Sequence, residues 1–136
     1  MATEIPVLDM TFTAAADLSA SQYCFVFVDS AGKAALPTAA GMQVIGVLQN
    51  KPTIGQAATV RVYGVSKVVA GGVVAPGDRI ATLITSGKAK TASKLVQASG
   101  AASYATGIAL NTANTATNDV FTAFIGPVGT DPTAYA

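Results

Sequence analysis

With 136 residues, the chain is long enough for one domain with a buried core. Hydrophobic residues make up 51% and charged residues 11%, with a formal net charge of +1, so a low-charge surface that is covered by small residues or buried against partners is expected. The chain has no histidine and a single cysteine, which excludes Ser-His and Cys-His catalysis and a Cys/His zinc site, and its scattered Lys and Arg residues predict no nucleic-acid binding.

The N-terminal segment, residues 1–19, is predicted to be an arm. It mixes small, polar and a few apolar residues, and within it residues 11–13 suit a short strand. It lacks the basic and apolar regions of a secretory signal. The apolar stretch at residues 68–74 is far shorter than the about 20 residues that span a membrane, so no membrane partner is expected.

From residue 20 onward the pattern is that of short β-strands. Runs of β-branched and aromatic residues bounded by glycine or proline predict strands at 23–29, 44–48, 59–64, 65–69, 79–85, 88–91, 106–111 and 119–125. No segment carries a sustained helical period. The prediction is an all-β fold, a small β-barrel or β-tulip with a flexible N-terminal arm and little helix. The barrel is assigned to residues 20–127 and a C-terminal tail to 128–136.

The strand predicted at residues 59–64 has two distinct faces. Its valines alternate with Arg61 and Tyr63, so the valines are assigned to the core and the other two side chains to solvent or to a neighbour. Arg61, Tyr63 and Arg79 are therefore candidates for an oligomer or partner face. A sharp bend or a bulge is predicted at Gly64.

A type II turn is predicted at residues 75–78. Pro76 suits the second position of this turn and Gly77 the third, where a positive φ is required. In the strand that follows, Ile80 and Ile84 are an even number of residues apart and are predicted to face the same side.

Three features that could carry chemistry are interpreted as structural. Cys24 lies in a strand-like run and is predicted to be a small buried hydrophobe. The pairs Gly32-Lys33 and Gly87-Lys88 lack the glycine five residues earlier that a phosphate-binding loop requires, so both are predicted to be hairpin turns. The acidic residues lie far apart in the sequence, at Glu4, Asp9, Asp17, Asp29, Asp78, Asp119 and Asp131. No catalytic residue, metal or cofactor is predicted.

A weakly repeated glycine pattern occurs in the two halves of the chain. Gly46 begins a strand–loop–strand segment that ends at Gly64, and Gly107 begins a similar one that ends at Gly126. In both segments an asparagine follows the first glycine by four residues. The two segments are predicted to be hairpins of one barrel.

Over residues 20–127, the chain resembles the small capsid decoration (cement) proteins of bacteriophages. The elements that carry the resemblance are the strand at 44–48 with Gly55 and residues 59–65, the apolar-Pro-Gly-Asp turn within 73–79, and the closing strands at 107–110 and 120–125. The resemblance implies a β-tulip or small β-barrel and a homotrimer that sits on the expanded head and stabilises contacts between subunits of the major capsid protein, its partner.

The same resemblance implies an N-terminal arm that reaches across the joints between capsid subunits. On this interpretation Ile5, Val7 and Phe12 would fill pockets on the shell. The protein would be found on the capsid surface of the virion, and in the host cytoplasm during assembly.

Other functions stay open on the sequence alone. The chain could be a different virion part, such as a head fibre base, a tail component or a surface adhesin. A biotinyl or lipoyl carrier domain has a turn like residues 72–80, but Lys33, Lys51, Lys88 and Lys90 lack the flanking residues of a modified lysine. An enzyme is the last alternative, and it would have to work without histidine.

Overall fold

The computed structural model describes residues 2–92 and 104–126. Within these ranges the secondary structure is β1 Ile5–Thr13, β2 Phe25–Val28, β3 Ala34–Ala35, β4 Gly46–Leu48, β5 Ala57–Val69, β6 Arg79–Thr82, β7 Ala89–Thr91, β8 Gly107–Ala109 and β9 Val120–Ile125. The predicted all-β, barrel-like class is confirmed. Most of β1 and the short β3 were not predicted. The tail predicted at 128–136 lies outside the described residues.

The strands form one curled sheet with an internal symmetry. Their order is β3-β2-β4-β5-β9-β8-β6-β7, and β1 adds to β5 off this path. All of these pairings are antiparallel. If the labels of β2, β3, β4 and β5 are exchanged with those of β6, β7, β8 and β9, respectively, the same strand order is obtained, read from the opposite edge of the sheet. The sheet therefore consists of two halves with the same topology, which meet where β5 pairs with β9.

A parallel bridge closes each half into a ring of strands. Ala14, directly after β1, bridges Ala34 in β3, and Ala70, directly after β5, bridges Ala89 in β7. The first ring, called unit 1, consists of β1, the first part of β5, β4, β2 and β3. The second ring, called unit 2, consists of the last part of β5, β9, β8, β6 and β7. The long β5 serves both units, because its first part pairs with β1 and β4 and its last part pairs with β9.

Many hydrogen bonds of the two units coincide position by position. The bond from Ala14 N to Gln56 O in unit 1 corresponds to that from Ala70 N to Asp119 O in unit 2. Likewise, Ile45 N to Val26 O corresponds to Thr106 N to Ile80 O, and Tyr23 N to Leu48 O corresponds to Gly77 N to Ala109 O. A side-chain bond matches as well: the N–H of Thr53 donates to the Gln56 amide, and that of Ala116 donates to the Asp119 carboxylate. The chain is therefore a structural duplication.

The two cores are built from the same positions. Seven buried positions are equivalent in the two units: Ala14, Leu18, Val26, Ala34, Leu48, Ala58 and Val60 in unit 1, and Ala70, Val74, Ile80, Ala89, Ala109, Phe121 and Ala123 in unit 2. The cluster of unit 2 also includes Phe25, Val44 and Val47 of unit 1. Where unit 1 combines Leu48 with Ala58, unit 2 combines Ala109 with Phe121. Exchanging a large and a small residue in this way preserves the volume that the core must fill, which is the kind of change that cores tolerate best.

The predicted turns are present and occupy equivalent places. Gly77 has φ 82°, and the N–H of Asp78 donates to Ala75 O at 3.1 Å, which confirms the predicted type II turn. Gly32 and Gly87, with φ 75° and 67°, each turn the chain just before β3 and β7. The two Gly-Lys pairs are thus matched turns of the duplicated unit, as predicted for hairpins.

The repeated glycine pattern of the sequence marks the duplication, and its two segments are antiparallel hairpins of one curled sheet, as predicted. Gly46 and Gly107 open β4 and β8, which are equivalent strands of different units. At either glycine a Cβ atom would overlap a carbonyl oxygen of the neighbouring strand, that of Arg61 or that of Phe124. Close approach of two backbones, which only glycine permits, explains why these two residues recur.

One orientation predicted from alternation is wrong. Ile80 is fully buried, whereas Ile84 is exposed. The strand ends at Thr82, and Thr85 turns the chain with φ 65°, so the two-residue period does not extend to Ile84.

Candidate interaction surface

The described residues contain no arrangement typical of a metal site. Within 2–92 and 104–126, no three His, Cys, Asp or Glu side chains cluster closely enough to hold a metal ion. In the same ranges, no helix has the length and apolar character needed to cross a membrane.

The N-terminal segment predicted as an arm is a strand at the surface. Residues 5–13 pair antiparallel with residues 57–65 of β5, and Ala14 and Leu18 are buried in the core of unit 1. Every side chain of β1 except Phe12 is exposed. Among the described residues, no further strand pairs with the outer edge of β1. The division into arm, barrel and tail stays a prediction.

Two of the three residues predicted to bind the capsid are available for contact. Ile5 is 61% exposed and Val7 is 67% exposed. Phe12 instead packs against the core of unit 1. Because Phe12 is held by its own domain, only Ile5 and Val7 of the three predicted residues remain open to a partner.

The start of β1 crosses the junction between the two units. Pro6 pairs with Gly64, where φ is 126°, and the register of β1 slips between Pro6 and Asp9. This confirms the irregularity predicted at Gly64, although β5 itself continues through it. Farther upstream, the N–H of Thr3 donates to Oγ1 of Thr122 at 2.8 Å in unit 2. The N-terminal segment therefore spans both units.

The outward orientation predicted for Arg61 is wrong. Arg61 is only 5% exposed. Its Nε and Nη2 donate to the two carboxylate oxygens of Asp9 at 2.8 and 3.1 Å, and Nη1 donates to Val65 O at 3.1 Å. Alternation along β5 alone missed this arrangement, because β1 covers that face. The isolated charge of Asp9 within the apolar run at residues 5–12 was the signal of a buried partner.

The other two candidates for a partner face lie at the surface but apart from each other. Tyr63 is exposed, and its ring meets Phe124 edge-on, with centroids 5.4 Å apart and an interplanar angle of 87°. Arg79 is exposed at the start of β6, and β9 and β8 lie between β6 and the strand that carries Tyr63. A role for either residue in partner binding stays a prediction.

Cys24 is buried, as predicted. Burial raises the pKa of its thiol to about 11, and the positive charge of Lys88 offsets only part of this effect. The folded pKa lies above the ordinary value of 9.0, so the stability that the neutral thiol contributes is present below pH 9.0 and is lost as the pH rises toward about 11.

Cys24 is therefore expected to resist alkylation in the folded protein. At pH 8, a thiol with a pKa of about 11 is ionised in about one molecule in a thousand. Labelling with iodoacetamide should be at least about 100-fold slower in the native than in the urea-unfolded protein, since the native thiol is both un-ionised and inaccessible. Mass spectrometry of a time course measures this ratio. Equal rates would show that the thiol is exposed.

Comparison with known proteins identifies the fold. No family model and no curated protein matches the chain. Among solved structures, it is similar to the crystal structure of the N base of the head fibre protein gp8.5 of bacteriophage phi29, with a TM-score of 0.61 and 17% identity. The two share a fold. The similarity covers 87% of this chain and 92% of that chain, so it includes both units.

Proposed function

We propose that the chain is a structural protein of a bacteriophage particle and binds the outer surface of the head. The observation that carries this proposal is the fold shared with the N base of a phage head fibre over nearly the full length of both chains. The low charge, the absence of histidine and the exposed apolar start of β1 all favour a binding role over a catalytic one.

The proposed partner is the major capsid protein, and the proposed contact is the first part of β1. Ile5 and Val7 are exposed on a strand whose outer edge has no partner strand among the described residues. Such an edge can add to a sheet of another protein, with main-chain hydrogen bonds supplying affinity and the alternating side chains supplying register. If the protein binds only the expanded shell, the binding free energy stabilises that state by linkage.

The double substitution Ile5→Ser and Val7→Ser tests this contact. Losing two buried aliphatic side chains should weaken binding to expanded heads by roughly 10-fold or more, since each contributes about 1.5–3 kcal/mol when fully buried. Cosedimentation of the purified protein with heads that lack it measures the loss. Ile54→Ser, which changes an exposed side chain far from β1 in the sequence, is the matched control. Undiminished binding by the double variant would refute the proposed contact.

A second candidate is the base of a head fibre, which the same structural similarity favours. Both candidates place the protein on the head, and for both we propose a homotrimer. Electron cryomicroscopy of particles labelled through an affinity tag on this protein separates them. A decoration protein would occupy the shell throughout, whereas a fibre base would lie only where a fibre projects. Labels confined to the tail would contradict both. Light scattering of the free protein reports its oligomeric state.

A further inference from the structure

The two units of the chain meet through different surfaces. Unit 1 contributes Tyr23, Phe25 and Gln49, here called face A, and unit 2 contributes Ser66, Val69 and Gly87, called face B. The bonds between them are Val69 N to Tyr23 O at 2.9 Å, Gln49 Nε2 to Ser66 Oγ at 2.9 Å, and Phe25 N to Gly87 O at 2.6 Å. Phe25 also belongs to the buried cluster of unit 2. Such an interface, in which unlike surfaces meet, is heterologous.

Because the units are equivalent, each face occurs a second time. The pairing registers place Gly77, Arg79 and Leu110 of unit 2 where unit 1 has face A, and this second copy is called face A2. They also place Met10, Thr13 and Gly32 of unit 1 where unit 2 has face B, and this copy is called face B2. Within residues 2–92 and 104–126, A is therefore joined to B, whereas A2 and B2 are not joined to each other.

Exposure separates the joined pair from the unjoined one. On face B, Ser66 and Gly87 are buried, whereas on face B2 Gly32 is exposed and Met10 is 43% exposed. On face A, Gln49 is half-buried, whereas its equivalent on face A2, Leu110, is 49% exposed. The surfaces that the covalent neighbour covers in one unit are thus left open in the other.

We infer that face A2 of one copy of the chain binds face B2 of a second copy in the geometry that joins A to B. Thr13 N–H then donates to Gly77 O, as Val69 N–H does to Tyr23 O within the chain. This bond gives the last part of the outer edge of β1 a partner, such as exposed strand edges require, and it leaves the first part, at Ile5 and Val7, free for the contact proposed above. The proposal does not depend on the function proposed above.

The two contacts differ at several positions, such as Phe25, whose equivalent is Arg79, and one of these differences suits association between separate chains. Where the joined units have the polar pair Gln49 and Ser66, the equivalent positions hold Leu110 and Met10. Burial of apolar surface is the main driving force for association, and methionine is enriched in protein interfaces. A heterologous contact can be repeated, and it produces a ring when the rotation closes. Three copies joined in this way would form the proposed trimer with six β-units.

Cysteine cross-linking tests the contact directly. In the variant that combines Met10→Cys with Leu110→Cys, the two new thiols lie against each other in neighbouring copies, and mild oxidation or a short bis-maleimide should convert most of the protein into covalent multimers on a denaturing gel. Cys24 does not compete, because it is buried and its thiol has a raised pKa of about 11. Neither substitution touches a core residue, so folding should be unchanged.

The control variants decide between arrangements. Either cysteine alone should give no cross-link, because the proposed heterologous contact places Met10 against Leu110 and not against its own copy. Ile54→Cys with Leu110→Cys, which has the same number of exposed thiols, should stay monomeric on the gel. Dimers from Met10→Cys alone would overturn the proposal in favour of a two-fold contact between β1 strands, and failure of the double variant to cross-link would overturn it altogether. Cosedimentation of the Ile5→Ser and Val7→Ser variant with heads tests the proposed function, and its result does not affect the conclusion from cross-linking.

Discussion

Replacing Gly46 or Gly107 with alanine is expected to prevent stable folding. The new Cβ would overlap the carbonyl oxygen of Arg61 in one case and of Phe124 in the other, and both are backbone atoms held in the centre of the sheet. Backbone cannot move aside as a flexible side chain can, so β4 must separate from β5, or β8 from β9. A loss above about 4 kcal/mol is expected, which is most of the stability of an ordinary domain.

Urea denaturation followed by circular dichroism measures these losses, and the chain offers a matched control. At Gly72 a Cβ would meet no atom within 4 Å, and its φ lies outside the positive range. Gly72→Ala should therefore change stability by less than about 1 kcal/mol, with a slight gain expected from the reduced freedom of the unfolded chain. Wild-type stability of either Gly46→Ala or Gly107→Ala would show that the strands are farther apart than described.

Asp9→Asn is expected to destabilise the protein by about 2–3 kcal/mol. The substitution keeps the shape of the side chain but removes the charge that Arg61 needs, and the Arg61 side chain is only 6% exposed. The value is placed below that of a fully buried pair because the Asp9 side chain is 31% exposed, so that water can partly replace the lost carboxylate. Urea denaturation of the variant and the wild type measures the difference.

The duplication indicates which residues could replace Asp9 and Arg61 without the loss of stability. Unit 2 places Val65 and Phe124 at the positions that Asp9 and Arg61 occupy in unit 1. The double substitution Asp9→Val and Arg61→Phe should therefore restore most of the stability, because replacing a buried ion pair by packed apolar side chains is often neutral or favourable. A double variant as unstable as Asp9→Asn would show that this pair has a role that apolar packing cannot fill.

The predictable part of the fold was local. β-Branched runs, the turn at Pro76-Gly77 and the Gly-Lys turns were identified because their conformations depend on neighbouring residues. The sequence does not predict the strand Ala34–Ala35, because alanine has little intrinsic preference for strands and this strand depends on its pairing with Phe27 and Val28 and on the bridge from Ala14. Of the three residues predicted to bind the capsid, Ile5 and Val7 are exposed, whereas Phe12 packs against the core, and a binding role for any of them stays a prediction.

The sequence by itself determined that this is a β-protein of low charge, without the histidine-based chemistry of many enzymes, and that glycine recurs at Gly46 and Gly107. Only the tertiary structure showed that these two glycines occupy equivalent positions of a duplicated unit, because hydrogen-bond register between distant strands has no local signature. It decided in the same way that Arg61 is buried, since the strand that covers it lies 52 residues earlier in the chain. It also decided that, among the described residues, one pair of matching faces is joined while Met10, Gly32 and Leu110 of the other pair are exposed, because burial depends on which surfaces the covalent chain can bring together.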